Sequence, residues 1–133
     1  MPRREVSLPD TNAILRYLLA DNKELHEKAR EVFEKVRTGE AAIVLLESVL
    51  VECVYVLTKF YKVPRQEVAG TLKSLLGYRG VTNNDKKELS EALVLFGETT
   101  FDIVDCILCV KAKNYTLTLF TFDKALAKKA GKG

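Results

Sequence analysis

The chain has 133 residues, 47% of them hydrophobic and 29% charged, with a formal net charge of +3. That length and apolar content fit a single domain over 1–133 with a sizeable core, and leave no room for two. The mixed signs of the charges exclude a disordered polyelectrolyte, and the modest basic excess permits a polyanionic partner without demonstrating one.

EVSL reads as a short strand ending at Pro9 and Asp10. A helix follows, with Ile14, Leu15, Leu18 and Leu19 on one face, and then a second helix whose apolar stripe is Leu25, Ala29, Val32, Phe33 and Val36. Gly39 ends that helix as a C-cap. AAIVLL is a compact, β-branched run, as in a buried parallel strand, and Ser48 is placed to cap the long helix VLVECVYVLTKFY. Pro64 opens a helix striped with Val68, Leu72, Leu75 and Leu76, and Gly77 breaks it. GVTN is a short strand candidate. NDKKELSEALVLFG reads as a helix ending at Gly97, FDIVDCILCVKA supplies the next from Asp102, LTLF is a strand, and Asp123 starts a last helix, DKALAKKA. Strands alternating with helices indicate an α/β fold with a parallel sheet and helices on both faces.

AILRYLLA is broken by Arg16 and preceded by Asp10, unlike a signal-peptide core, and no apolar run approaches membrane-spanning length. A cytoplasmic protein with no membrane partner is therefore expected, with its three cysteines reduced. Cys106 and Cys109 form a C-x-x-C, but they lie inside an apolar helical pattern with no second ligand pair, so buried and inert thiols are expected. The single histidine, His26, falls in the charged run KELHEKAR and reads as a solvated helix-surface residue.

The acids fall into a pattern on this scaffold. Asp10 follows the first strand, Glu52 lies one turn into the helix after the second, Asp102 and Asp105 head the helix before LTLF, and Asp123 follows LTLF. Ligands of open parallel sheets bind at that end, outside the carboxyl ends of the strands. A plainer reading competes: Asp10, Asp102 and Asp123 as helix N-caps, and Asp105 as the N3 acid of a capping box. Glu52 resists it, because its helical neighbours Ser48, Val49, Tyr55 and Val56 offer no cation and its helix is apolar almost all round. Asp105 stands likewise among Phe101, Asp102, Leu108 and Cys109. Tertiary salt bridges from Arg16 or a lysine stay open for either. If several such carboxylates converge they repel unless a cation neutralises them, and an oxygen-only donor set favours Mg²⁺ or Mn²⁺, which suits phosphodiester hydrolysis.

LPDTNAILRYLL, VLVECVYVLTKFY, FDIVDCILCVKA and LTLFTFDKAL, in that order and from about Val6 to Leu126, resemble the four motifs of the PIN domain, and especially of VapC-type toxin ribonucleases. The resemblance implies a three-layer α/β/α fold with a central parallel sheet, Mg²⁺- or Mn²⁺-dependent endoribonuclease activity on RNA, homodimerisation and, in toxin members, inhibition by a cognate antitoxin. By position, Asp10, Glu52, Asp105 and Asp123 match the four family acids, with Asp10, Asp105 and Asp123 as metal ligands and Glu52 completing the ring as the group that orients a water. Thr11, Asn12 and Thr121 are suited to hydrogen-bond those groups from behind, and Asp102 looks like an accessory acid of some members. Glu47 is a rival to Glu52 that fits the motif less well. Arg16 suits either a phosphate or a surface salt bridge. Pro9 before the first acid and Cys106 after the third depart from the family pattern without removing a ligand. Other classes remain: a PIN nuclease of RNA processing that is not a toxin, a phosphoaspartate module of receiver or haloacid-dehalogenase type, and a metal-free interaction module. D-T-N lacks the second acid of the dehalogenase motif, and no Asp follows AAIVLL as a receiver requires.

Overall fold

A computed structural model describes residues 5–131. Its sheet is short and parallel. β1 (Val6–Ser7) pairs with β2 (Ala42–Ile43) in the register Val6 to Ala42 and Ser7 to Ile43, and Val81 adds a parallel bridge to Ile43 on the far side of β2. Parallel pairing requires a crossover, supplied by α1 (Thr11–Leu19) and α2 (Lys23–Thr38). All three extended segments therefore leave the sheet in the same direction, toward Asp10, Leu45 and Asn83.

Caps delimit the crossover helices. Asp10 accepts from the Ala13 amide at 2.8 Å at the head of α1, and Asn22 accepts from that of Leu25 at 3.0 Å at the head of α2. Gly39 ends α2 at φ +88°, its N–H bonded to the Val36 carbonyl, the C-cap expected of it. His26 departs from its expected solvated role: half-buried, its Nδ1 lies 3.1 Å from the Arg16 carbonyl and its ring is stacked in line with Tyr17, so it joins α2 to α1.

The strand at AAIVLL is shorter than expected, since only Ala42 and Ile43 pair. The Asn83 side chain takes over beyond it, accepting from the Leu45 amide at 2.7 Å and donating to the Leu45 carbonyl at 2.5 Å. With the chain pinned there, α3 (Glu47–Tyr55) begins one residue before Ser48, which makes no cap; Leu46 holds the N-cap position with no side-chain bond. A π-turn (Val56–Phe60) continues α3, closed by the Tyr61 amide on the Val56 carbonyl at 3.1 Å.

After α4 (Arg65–Leu76), with Pro64 at its N-cap as its sequence suggests, α5 (Lys86–Glu98) and α6 (Ile103–Asn114) stack in turn. Leu72, Leu75, Leu89, Leu93 and Ile103 are essentially fully buried between them and the sheet, each contributing about 1.5–3 kcal/mol of transfer free energy. Gly97 sits inside α5 instead of ending it. A Cβ there would stand 3.0 Å from that of Ala69, so the missing side chain lets α5 close on α4. Arg65 locks the turn that follows: its guanidinium lies 3.7 Å over the Phe96 ring and donates to the carbonyls of Phe96 (2.8 Å), Thr99 (3.1 Å) and Phe101 (2.5 Å).

LTLF is not a strand. Residues 117–120 pair with no other segment among the described residues, and Leu117 and Phe120 are 60% and 83% exposed. α7 (Lys124–Gly131) packs on α6 through a small separate core of Cys109, Leu126 and Ala130, with Leu119 against it, so the connection is anchored without a ladder. The fold is α/β but mostly helical. Among the described residues, no helix is long and apolar enough to cross a membrane.

Gly80 tests this packing. Its amide donates to the Val36 carbonyl and its carbonyl accepts from the Ile43 amide, both at 2.8 Å, and a Cβ on it would collide with the Ala41 carbonyl oxygen and lie 2.8 Å from that of Val36. Gly80→Ala is expected to cost roughly 3 kcal/mol or more in denaturant unfolding. Gly70→Ala, on a face of α4 with nothing within 4 Å, is expected to add about 0.5–1 kcal/mol.

Candidate active site

The structure links the first and second motifs directly. Thr11, in the first turn of α1, donates its hydroxyl to Glu52 Oε1 on α3. Glu52 itself is exposed, so the burial cost expected for it does not arise: its helix is buried along Leu50, Cys53 and Val54, and Glu52 lies on the other face. Asn12, the residue after Thr11, is exposed.

The plainer reading of two acids is correct as far as it goes. Asp10 caps α1, and Asp123 caps α7 through Oδ1 to the Leu126 amide at 3.0 Å, while Thr121 Oγ1 accepts from the Asp123 amide at 3.1 Å. Each cap occupies one carboxylate oxygen and leaves the other. Asp102 behaves differently from its expected capping-box role. It holds the N-cap position of α6 with extended backbone, yet makes no side-chain cap; its Oδ1 accepts from the Tyr55 hydroxyl at 2.8 Å. The sequence places Tyr55 beside Glu52 only as a neighbour without charge; that its hydroxyl serves Asp102 is a tertiary relation.

Asp105 is half-buried in the first turn of α6. Burial first, and then the charges of Asp102 and Asp123, push its carboxyl above the ordinary 3.8. The bond to Asp102, followed by burial, likewise raises the Tyr55 hydroxyl and keeps it a donor. Cations stand elsewhere. Arg16 pairs with Asp21 at 2.6 Å and Lys111 with Glu88 at 2.8 Å and Glu47 at 3.8 Å, while Arg65 is used on carbonyls. Among the described residues no ion pair reaches Asp10, Glu52, Asp102, Asp105 or Asp123. Arg16 is therefore a salt-bridge residue, and Glu47, the rival to Glu52, belongs to the Lys111 group. In that group Glu88 is buried and held below the usual carboxylate range by Lys111 and then Tyr115.

The thiols are as expected. Cys53, Cys106 and Cys109 are free and buried, and burial pushes Cys106 up to about 11 and Cys53 to about 12, which leaves them protonated and inert.

The acids thus form two groups, Asp10 with Glu52 through Thr11, and Asp105 with Asp102 and Asp123 through their charges, joined by the Tyr55–Asp102 bond. Among the described residues no group of three or more His, Cys, Asp or Glu is arranged to hold a metal ion. The donor chemistry nonetheless fits a hard cation: the acids are oxygen donors, none is ion-paired among the described residues, and the charges of Asp102 and Asp123 disfavour the ionised form of Asp105.

That repulsion has a pH signature. Since the folded state keeps the Asp105 proton to higher pH than the unfolded chain does, its ionisation lowers stability as pH rises through the ordinary carboxylate range to the raised value, and at neutral pH the full cost is present. Thermal unfolding in metal-free buffer should therefore give Asp105→Asn an unchanged or higher melting temperature at pH 7, with the advantage vanishing below pH 3.8. Were Asp105 only a helix-end acid, the change would instead cost about 1 kcal/mol.

The family model of the PIN domain matches residues 7–132. A curated VapC ribonuclease from Aquifex aeolicus (strain VF5) is 26% identical over 108 residues, covering 81% of this chain and 79% of that protein. No solved structure matches the chain. With nearly its whole length matched by the family model, the chain belongs to the PIN domain family.

Proposed function

We propose that this chain is a Mg²⁺- or Mn²⁺-dependent endoribonuclease of the VapC toxin type. The observation that carries this is the set of carboxylates at the exits of the sheet and the heads of α6 and α7, none ion-paired among the described residues, in a chain of the PIN family. Likeness to a VapC ribonuclease supports RNA as the substrate and a cognate antitoxin as a partner.

In this reading Asp10, Asp105 and Asp123 hold the ion. When bound, Mg²⁺ or Mn²⁺ supplies neutralising charge to the carboxylates and Lewis acidity to the phosphate. Glu52, its orientation set by the Thr11 hydroxyl, positions a water and takes its proton as the water attacks phosphorus in line with the leaving 3′-oxygen. Thr121 holds the backbone of Asp123, and Asn12, exposed next to Thr11 in the chain, is a further polar group for the same role. The three-layer arrangement around a central parallel sheet belongs to this reading through the match to the PIN domain model.

One observation favours a second reading. Asp10 and Asp123 both serve as caps, which is all a metal-free interaction module would ask of them.

Cleavage of RNA by the purified protein separates the two. It is expected to require Mg²⁺ or Mn²⁺, to stop reversibly on chelation and to leave 5′-phosphate and 3′-hydroxyl ends. Undiminished cleavage in excess chelator overturns the metal mechanism, and no cleavage with Mn²⁺ selects the interaction module. Asp105→Asn should lower the rate by more than about 100-fold and Thr11→Val by about 10–100-fold, the range for groups that orient a ligand.

Assembly is the second test. Val94, Val104 and Leu108 are exposed on α5 and α6, apolar surface that a homodimer would cover. Sedimentation at micromolar protein is expected to give twice the 14.9 kDa chain mass, and a purely monomeric species counts against the dimer.

A further inference from the structure

Against Asp102, three residues before Asp105, lies a cavity of about 190 Å³ that the proposed hydrolysis does not use, walled by Tyr55, Thr58, Lys59, Arg65, Thr100 and Asp102 with Phe96. It is small. Pockets for drug-sized ligands run from roughly 300 to 1,000 Å³, so this one suits a single planar ring rather than a whole nucleotide.

The π-turn carries Thr58 and Lys59 to the rim, and such turns occur frequently at functional sites. Thr58 turns its hydroxyl back to the Val54 carbonyl at 2.7 Å, whereas Lys59 is exposed and makes no ion pair among the described residues. Arg65, held by three carbonyls and laid on Phe96, is a rigid flat wall that leaves the Asp102 carboxylate unpaired. Asp102 forgoes its helix cap, takes the Tyr55 hydroxyl on Oδ1 and has no hydrogen bond on Oδ2 among the described residues. The cavity thus offers one oriented acceptor and, at its rim, one free cation. Asp102 is one helical turn from Asp105, so a ring seated here adjoins the carboxylates.

We infer that this cavity is a base subsite for single-stranded RNA, taking one unstacked base that carries an exocyclic amino group, beside the phosphate to be cleaved. The inference rests on the nuclease reading above. RNA bases splayed from the stack are read through hydrogen bonds to their edges, and a carboxylate accepts from an amino group such as the cytosine N4. Asp102 Oδ2 accepts from that amino group, and Lys59 meets the phosphate of the same nucleotide. Uracil is disfavoured, because the carbonyls flanking its N3–H would face the carboxylate.

Cytidine and uridine monophosphate differ at this edge by an amino group against a carbonyl, and titrating each into the ¹⁵N-labelled full chain without metal tests the assignment. Cytidine monophosphate is expected to shift the amides of residues 55–59 and 100–103 and to bind at least about fivefold more tightly than the uridine compound. Asp102→Asn, which keeps the shape, should erase that preference, and Lys59→Ala should weaken both compounds alike. Equal affinity for the two in the wild-type chain, or shifts elsewhere, overturns the proposal, and the wild-type comparison decides even if a variant fails to fold. The readout is independent of cleavage. RNA cleavage without discrimination between the two leaves the nuclease standing and removes the subsite, whereas discrimination without cleavage keeps the subsite and removes the nuclease.

Discussion

The parallel alignment of β1, β2 and Val81 is the constraint on which the rest depends. Because parallel neighbours must leave a sheet in the same direction, the chain emerges at one end three times, at Asp10, at Leu45 and at Asn83. The ladder is very short, and side chains and close packing extend its order. Asn83 grips both polar groups of Leu45, and Gly80 lets the backbone pass against Val36 and Ala41 where a methyl group would not fit. The start of α3, and with it Glu52 and Tyr55, follows from that grip.

Arg65 plays the corresponding part for the other half of the site. A guanidinium donating to three carbonyls and lying on an aromatic ring is a strong anchor, and one of those carbonyls, that of Phe101, immediately precedes Asp102. The entry into α6 is thereby set, and Asp102 is free to accept from Tyr55. The Arg65 guanidinium is thus committed to backbone carbonyls and to the Phe96 ring. Stability would be better served by a salt bridge. A partly buried carboxylate such as Asp105, held above its ordinary range by burial and by the charges of Asp102 and Asp123, is instead a pattern that clusters at functional sites.

Where structure and sequence expectation part, a tertiary contact has outweighed a local signal. Ser48 is a good cap residue, but Asn83 holds the chain so that α3 starts before it. Gly97 looks like a helix stop, but the value of a missing Cβ there is the close approach of α5 to Ala69. The apolar alternation of LTLF signals a strand, but a strand needs an edge to pair with, and the hydrophobic contact of α7 with α6 holds this segment without one.

Much of the molecule was legible in its sequence because the signals are local. Helical stripes, the Gly39 cap, the buried cysteines and the ordered motifs around Asp10, Glu52, Asp105 and Asp123 depend on residue types at short spacings, and the sequence by itself determined an α/β chain of the PIN family. Relations between distant segments were not legible. That Thr11 reaches Glu52, that Tyr55 draws Asp102 away from its helix end, that Glu52 lies on the exposed face of α3, and that Arg65 and Lys111 are engaged elsewhere were decided only by tertiary structure. The physical reason is that a side chain's charge, burial and hydrogen-bond partner depend on which elements meet around it, and helices that pack through interchangeable Leu, Val and Ile residues do not record those meetings in their sequence.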